Sequence, residues 1–379
     1  MGKIYTALGL MSGTSMDGVD ASIIQTDGES KYKAILDKYF EYPSSIYQNL
    51  TKLRDKIKNS KDLKKHQKQI KAVEKEITIF HAKSVNEILK KKKINVDFIG
   101  FHGQTIFHNA EEKITKQIGD GKLLSKLTKK TIVYDFRQND LKNGGEGAPL
   151  TPIFHKMLSE KFNLAQKKIL PFTQGIFINL GGITNITRID SDFNIFAQDC
   201  GPGMCLIDKW MRLNSENKID KDGIIACKGN IKNEIVRGYI TKIQKLLGDY
   251  RGSLDINDFN LSLVKNLSLK DGAATLTELT AVNTLEFAEF NAVIEKTILI
   301  LCGGGRKNKF LIERMKKYGD QYFKGHIKMI DDFGIDGDFV ESQAFAYLAI
   351  RSYLKLPISF PETTGCKKPC TGGVIIKNF

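Results

Sequence analysis

The chain opens with short apolar runs closed off by Gly- and Ser-rich turns, a pattern that predicts strands. Tyr5 to Leu10 is the first run, Met11 to Gly18 a polar turn and Val19 to Thr26 the returning strand, so together they predict a hairpin. Tyr32 to Tyr42 is expected to be a third strand. The period then changes. Ile70, Val73, Ile77, Phe80, Ser84 and Ile88 recur at intervals of three and four, as on one face of a long helix. Val96 to Phe107 and Thr131 to Phe136 are apolar enough for buried strands, and Pro152 to Asn163 predicts a helix with Pro in its first turn. The order then partly repeats. Gly175 to Leu180 and Ile183 to Ile189 flank a Gly181-Gly182 turn. A helix follows near Ala273 to Phe290, then a short strand from Thr297 to Leu301 and a last helix from Ser342 to Leu354. Two similar strand–turn–strand openings predict two related lobes of α/β class, with mixed sheets and an interlobe cleft. The lobes are expected at 1–170 plus 355–379 and at 171–354.

Composition narrows the function. The 379 residues are 41% hydrophobic and 27% charged, which supports a large core and no disordered tract. The net charge of +15 raises the question of a polyanion partner. The Lys residues are spread along the chain and not interleaved with aromatics, so solvated faces are the expectation, with neither nucleic acid nor membrane as partner. No apolar run reaches 18 residues, which excludes a spanning helix. The first residues run straight into a strand without the pattern of a secretion signal. Met1 to Thr6 match a loose myristoylation pattern, but Lys3 and the immediate strand argue against it. The six Cys form no CxxC pair and accompany no His at zinc spacing. Free thiols in a reducing compartment, hence a cytoplasmic protein, are expected.

Three Gly-rich turns carry the candidate chemistry. Ser12, Gly13, Thr14, Ser15, Met16, Asp17, Gly18, Val19 and Asp20 make a turn with more donors than a plain hairpin needs. Its backbone N–H groups and hydroxyls can wrap phosphate oxygens, and Asp17 can hold a magnesium ion through water. Gly181, Gly182 and Asn185 form a second such turn, weak alone but an echo of the first. Gly303, Gly304 and Gly305, followed by Asn308, would let backbone approach a flat adenosine, although a plain strand-to-helix turn reads the same way. Asp199 precedes Gly201-Pro202-Gly203 at a strand end, a place for a catalytic base or for a turn-capping carboxylate. His102, Gln104 and Arg137 offer neutral donors and one fork-shaped cation, as a sugar bearing a carboxylate would require. For His102 a core role, and for Arg137 a local pair with Asp135, stay open.

In order, these segments closely resemble the anhydro-N-acetylmuramic acid kinase family over nearly the whole chain. The matching text is GLMSGTSMDGVD from Gly9, HGQT from His102, DFRQNDLKNGGEGAPLTPIFH from Asp135, INLGGITNIT from Ile178 and DCGPGM from Asp199. It continues with DGAATLTELTA from Asp271, CGGGRKN from Cys302, ESQAFAYLAIR from Glu341 and TTGCKKPCTGG from Thr363. The resemblance implies the two-lobed actin, Hsp70 and hexokinase-like ATPase fold, with ATP and Mg²⁺ bound. It implies that water opens the 1,6-anhydro ring while O6 is phosphorylated, giving N-acetylmuramic acid 6-phosphate in peptidoglycan recycling. The family's catalytic base maps to Asp199, and Glu341 joins His102, Gln104 and Arg137 as substrate-binding. A homodimer stays open. Two departures stand out: the family's DTGPGN reads DCGPGM here, with Cys200 and Met204, and its PPKSTGRE-like segment is replaced by text from Arg251 to Phe259. Another sugar kinase of the superfamily, or a non-catalytic ATP-driven binding module, is the alternative reading.

Overall fold

The structure is a computed structural model describing residues 2–162, 174–248, 254–293, 296–323 and 326–379. Its strands, in chain order, are β1 (Tyr5–Ser12), β2 (Gly18–Thr26), β3 (Tyr32–Glu41), β4 (Phe98–Asn109), β5 (Ile114–Ile118), β6 (Ile132–Tyr134), β7 (Gln174–Leu180), β8 (Ile183–Asp190), β9 (Ile195–Pro202), β10 (Thr297–Cys302), β11 (Ile327–Met329) and β12 (Val374–Ile376). The chain divides into two compact units, Met1–Lys161 with Phe339–Phe379, and Phe162–Asp338. Among the described residues the first unit's sheet runs β12-β6-β4-β1-β2-β3, with β5 paired to β4. The second runs β11-β10-β7-β8-β9. In each, three consecutive strands pair antiparallel and the next strands join the first of them in parallel. The repeated openings seen in the sequence are thus two copies of one mixed α/β topology.

One expected limit is corrected. The helix Val340–Tyr353 was assigned by sequence to the 171–354 lobe, but it packs on β1, β2 and β4 of the first unit. The other expected limit, at 170/171, lies outside the described residues, as does Asn163 at the expected end of the helix Pro152–Phe162.

The helix Val340–Tyr353 is buried at every position except Glu341 and Tyr353. It can lie so deep because two strand residues lack side chains. A Cβ on Gly9 would come within 1.8 Å of the Ser342 carbonyl oxygen, and one on Gly100 within 2.1 Å of the Phe345 carbonyl oxygen. The polar groups that this burial strands are all partnered, as buried polar groups must be. Gln343 accepts from the Tyr32 hydroxyl at 2.5 Å and donates to Asp37 at 3.0 Å. The Arg351 guanidinium donates to the Gly28 and Pro357 carbonyls, each at 2.8 Å.

The second unit's core collects Ile176, Ile178, Leu180, Leu299 and Leu301 from the sheet against Ala281 and Leu285 of the helix Leu269–Phe290. Its loops are drawn together by Arg306, whose side chain is 6% exposed. The guanidinium forks onto both oxygens of Asp331, at 2.7 and 2.9 Å, and reaches Asp338 at 2.5 Å and Asp336 at 3.1 Å. Lys307 pairs with the other Asp338 oxygen. Arg306 holds the Asp331 carboxyl below its ordinary value. Burial opposes the same shift at Asp338, but Lys307 and Arg306 together outweigh it.

Gly100→Val should lower stability by roughly 1–3 kcal/mol or more, since backbone oxygen cannot move aside as a flexible side chain would. A urea midpoint unchanged from wild type would refute the close approach. Gly238→Ala is the control: its Cβ would meet only Leu263 at an ordinary 3.4 Å, and Ala suits a helix interior better.

Arg306→Ala should cost roughly 2–4 kcal/mol at neutral pH, below the full value for a buried pair because the carboxylates are partly exposed. The carboxyl shifts are downward, so their contribution is present above the unfolded carboxyl range near pH 4 and is lost as pH falls through the lower folded values. The stability gap between variant and wild type should therefore narrow on acidification below about pH 4. A gap that widens there would contradict the network.

Candidate active site

The first turn is bounded by β1 and β2, paired so that Met11 faces Asp20. Its tip exposes Thr14, Ser15 and Asp17, while Met16 and Val19 are buried and Asp20 is half-buried. Met16 takes φ 58° and its N–H closes on the Gly13 carbonyl at 3.2 Å. Two of the turn's residues can therefore offer a ligand backbone only, and Thr14 and Ser15 offer hydroxyls. The Ser15 hydroxyl donates to Asp17 Oδ1 at 2.6 Å. A Cβ on Gly13 would have only the Ser15 oxygen nearby, at 4.0 Å, so the space over this glycine is open.

Beneath the tip lies a brace. Ser12 Oγ is 2.6 Å from Gln104 Oε1 and 2.8 Å from the Gly18 carbonyl, and it accepts from the Tyr42 hydroxyl at 3.2 Å. The Gln104 amide donates to the Gly13 carbonyl at 3.0 Å. Both residues are fully buried or nearly so. Gln104, read from sequence as a sugar contact, lies inside β4 and holds the first turn from below.

His102 is brought to Arg137. Its Nδ1 is 2.8 Å from the Gly103 carbonyl, which fixes the proton there, and its Nε2 accepts from Arg137 Nη2 at 2.9 Å. Burial, then the Arg137 charge, hold the imidazole well below its usual pKa, so it is neutral. Arg137 also donates to the Gly147 carbonyl at 2.6 Å. Arg137 thus forms a His–Arg pair with His102. Beside it opens a cavity of about 490 Å³, lined by His102, Asp135, Gln138 and Lys142 among others. Asp135 takes φ 59°, and burial raises its carboxyl despite Lys142 and Lys116. Asp135, weighed from sequence only as a partner for Arg137, and Gln138, given no role there, both line this cavity; the signal available in the sequence was one carboxylate within the apolar run Thr131 to Phe136. Glu341 stands in the first turn of its helix, half-buried.

In the second unit the remaining motifs converge. The Gly181 and Gly182 carbonyls accept the N–H groups of Met204, Gly203 and Cys205 at 2.8 to 3.1 Å. A Cβ on Gly203 would strike the Gly181 oxygen at 2.3 Å. A Cβ on Gly305 would meet Leu180 at 2.8 Å and the Met204 sulfur at 2.9 Å, whereas Gly304 has nothing within 4 Å of its would-be Cβ. Thr184 Oγ1, Asn185 Oδ1 and Asn308 Nδ2 are buried with no partner among the described residues. Buried polar atoms without a partner are what a polar ligand would satisfy. Asn308 keeps a structural duty as well, its Oδ1 accepting from Leu311 N at 3.0 Å.

Asp199 lies in β9, opposite Asn185 of β8, and is 7% exposed. Its Oδ2 accepts from Leu254 N at 2.7 Å. Pro202 and Gly203 follow at once, their carbonyls near Thr280 Oγ1, which donates to Gly203 at 2.8 Å. Both departures at this motif pack on apolar side chains, Cys200 fully buried and Met204 partly so. The Cys200 side chain is part of the apolar cluster with Ile176 and Ile186, and burial pushes its thiol up. Met204 packs into the same apolar region. The segment from Arg251 to Ser253 lies outside the described residues; Leu254, the donor to Asp199, follows it directly.

Among the described residues no helix is long and apolar enough to cross a membrane. The sequence profile of the family described as anhydro-N-acetylmuramic acid kinase matches residues 5–378. A protein of that name from Pelagibacter ubique is 50% identical over 384 aligned residues, covering both chains completely. Those of Agrobacterium fabrum and Brucella canis are 38% and 36% identical over 380 aligned residues, again with full coverage of both. The full-length match spans every loop just described, and the chain belongs to the anhydro-N-acetylmuramic acid kinase family and is a kinase that uses ATP.

Proposed function

We propose that this kinase phosphorylates O6 of 1,6-anhydro-N-acetylmuramic acid while water opens the anhydro ring, giving N-acetylmuramic acid 6-phosphate for cell-wall recycling in the cytoplasm. The observation that carries the reading is the end-to-end family match with Asp199 present, buried and held by a backbone N–H. In this reading Thr14, Ser15 and the N–H groups of the Gly13–Gly18 turn bind phosphate oxygens, and the Ser12–Gln104 brace keeps the turn in shape. Gly181, Gly182 and Asn185 bind further phosphate oxygens, and Gly303 to Gly305 with Asn308 take the adenosine.

Asp17 fits a magnesium ion held through water, being a single exposed carboxylate, the kind of ligand Mg²⁺ accepts while keeping most of its waters. When bound, that ion supplies charge neutralisation on the phosphates. Asp199 takes a proton from the water that attacks the anomeric carbon, and the departing O6 receives the γ-phosphoryl group. The Leu254 N–H fixes one carboxylate oxygen, so the carboxylate is aimed before substrate arrives. Arg137 holds the sugar's carboxylate, with His102 accepting from its second terminal nitrogen and so fixing the plane of the fork. Glu341 contacts the sugar from its helix's first turn.

Asp199→Asn should lower turnover by about 10²- to 10⁴-fold with ATP affinity retained, because the amide can still accept from Leu254 but cannot take a proton. Near-wild-type turnover would remove Asp199 from this role. Gly13→Val should weaken ATP binding about 10- to 100-fold, the loss of one charge-assisted hydrogen bond or two, with thermal stability kept because the space is open. Calorimetry showing unchanged affinity would remove the turn from the phosphate site. The reaction itself is tested in ¹⁸O-labelled water with ATP and the anhydro-sugar. Label should enter C1 of the earliest product and not its phosphate. Sugar phosphate formed without label at C1 would leave only an ordinary phosphotransferase.

A further inference from the structure

Away from the loops above, three potential metal-binding side chains from two distant parts of the chain meet in the interior of the first unit. Asp140, Cys366 and Cys370 are 1%, 1% and 4% exposed. One carboxylate oxygen and the two sulfurs all lie within 4.8 Å of one another. Both thiols point at a single acceptor, the Lys368 carbonyl, at 3.2 Å from Cys366 and 3.0 Å from Cys370. The two sulfurs thus share a nearby carboxylate oxygen and a single carbonyl oxygen.

The carboxylate is the informative member. A buried carboxylate ordinarily has a cation beside it. Among the described residues no basic side chain forms an ion pair with Asp140. It has two neutral donors instead, Thr364 Oγ1 and Gly147 N, each at 2.7 Å, one on each oxygen. Those bonds fix its orientation and leave lone pairs on both oxygens.

The other donors are equally fixed by backbone. Cys370 exchanges hydrogen bonds with Ser359, N–H to carbonyl at 2.9 Å and carbonyl to N–H at 3.2 Å. Thr364, two residues before Cys366, accepts from Glu146 N at 2.9 Å, and Lys367 N donates to the Asn143 carbonyl at 3.1 Å. The ligands are therefore positioned by contacts that owe nothing to the thiols themselves. Lys367, Lys368 and Pro369, the loop between the two cysteines, are exposed and give an ion its way in.

We propose that Asp140, Cys366 and Cys370 bind a thiophilic divalent cation of the zinc class, with the Lys368 carbonyl as fourth donor. Four donors of this kind suit a tetrahedral closed-shell ion with bonds of about 2.0–2.3 Å, and the sulfurs select against magnesium and calcium. On binding, each thiol forms a metal–sulfur bond and its proton leaves to solvent, so two protons are released per ion. The ion supplies the positive charge that the buried carboxylate lacks. It also ties the segment around Thr364 to the turn of Gly144 to Gly147, whose last carbonyl receives Arg137. The site is thus a clamp behind the Arg137 loop and takes no part in the phosphoryl transfer.

The experiment uses the full chain, reduced and stripped with a chelator, titrated with Co²⁺ and then with Zn²⁺. One equivalent of Co²⁺ should give an intense near-ultraviolet thiolate-to-metal band, which Zn²⁺ abolishes by displacement. The near-isosteric double variant Cys366→Ser, Cys370→Ser should lose the band and bind Zn²⁺ at least about tenfold more weakly, as for loss of groups that matter to a metal site. Zn²⁺ should raise the thermal midpoint of the wild type and leave that of the double variant unmoved, since a ligand of the folded state alone stabilises it. Absence of the band, or its persistence in the double variant, would overturn the site. So would a non-reduced chain two mass units lighter that binds no metal, which would make the pair a disulfide. Kinase activity is not the readout, so this test stands or falls apart from the proposed reaction.

Discussion

The first unit depends on a helix lying directly on sheet backbone. At Gly9 and Gly100 the helix Val340–Tyr353 comes so near that its own carbonyl oxygens occupy the space where a Cβ would be. Neighbouring strands β1 and β4 each contribute one of these glycines, so the helix locks their relative height. That register places Ser12 opposite Gln104 across a bulge. The Ser12–Gln104–Gly13 bonds that brace the first turn follow from it. The support of this turn thus reaches back through one strand pair to one helix.

The second unit reaches a comparable end by other means. Its turn is held from the side by the amides of Gly203 to Cys205, which close on the Gly181 and Gly182 carbonyls. The strand carrying Asp199 runs on into that contact, so Asp199 and the turn are tied through a few residues of backbone. Arg306 ties the third loop to three carboxylates in the same way that a metal ion would, with planar bidentate geometry in place of coordination. Thr184 and Asn185, which directly follow the double-glycine turn and Ile183, and Asn308 of the third loop each keep a buried polar atom without a partner among the described residues. Local rigidity paired with unmet polar groups is a common signature of a site shaped for its ligand.

Much of the fold was legible from pattern. The hairpins β1–β2 and β7–β8 and the long helix Gln67–Lys92 stand within a few residues of their expected limits, because turn chemistry and period are local properties. The helix Val340–Tyr353 was recognisable as a helix but not as part of the first unit. It is buried nearly all round, so its sequence has no polar face to say which sheet it covers. The strand expected at Val96 to Phe107 is β4, and it runs on to Asn109 because β5 pairs with its far half. The Arg306 network and the meeting of Asp140 with Cys366 and Cys370 went unread for a different reason. Each joins residues far apart in sequence, and a spacing rule such as CxxC sees neither. Cys200 shows the converse. In sequence it stood out as a departure from the family motif beside Asp199, and its packing makes it a core residue.

The discontinuity of the first unit has a consequence for synthesis. Residues 162–338 form an uninterrupted unit that can complete its contacts as it leaves the ribosome. The first unit, although begun earlier, cannot. Until translation has passed Tyr353, β1, β2 and β4 expose the apolar face that the helix will cover, with the grooves at Gly9 and Gly100 empty. The earlier-made part of the chain thus waits for the later-made part, with an uncovered sheet face that is open to misassociation or to a chaperone's grip. Vectorial folding here runs against the order of the sequence, and the nascent chain gains its first braced turn only near the end of its synthesis.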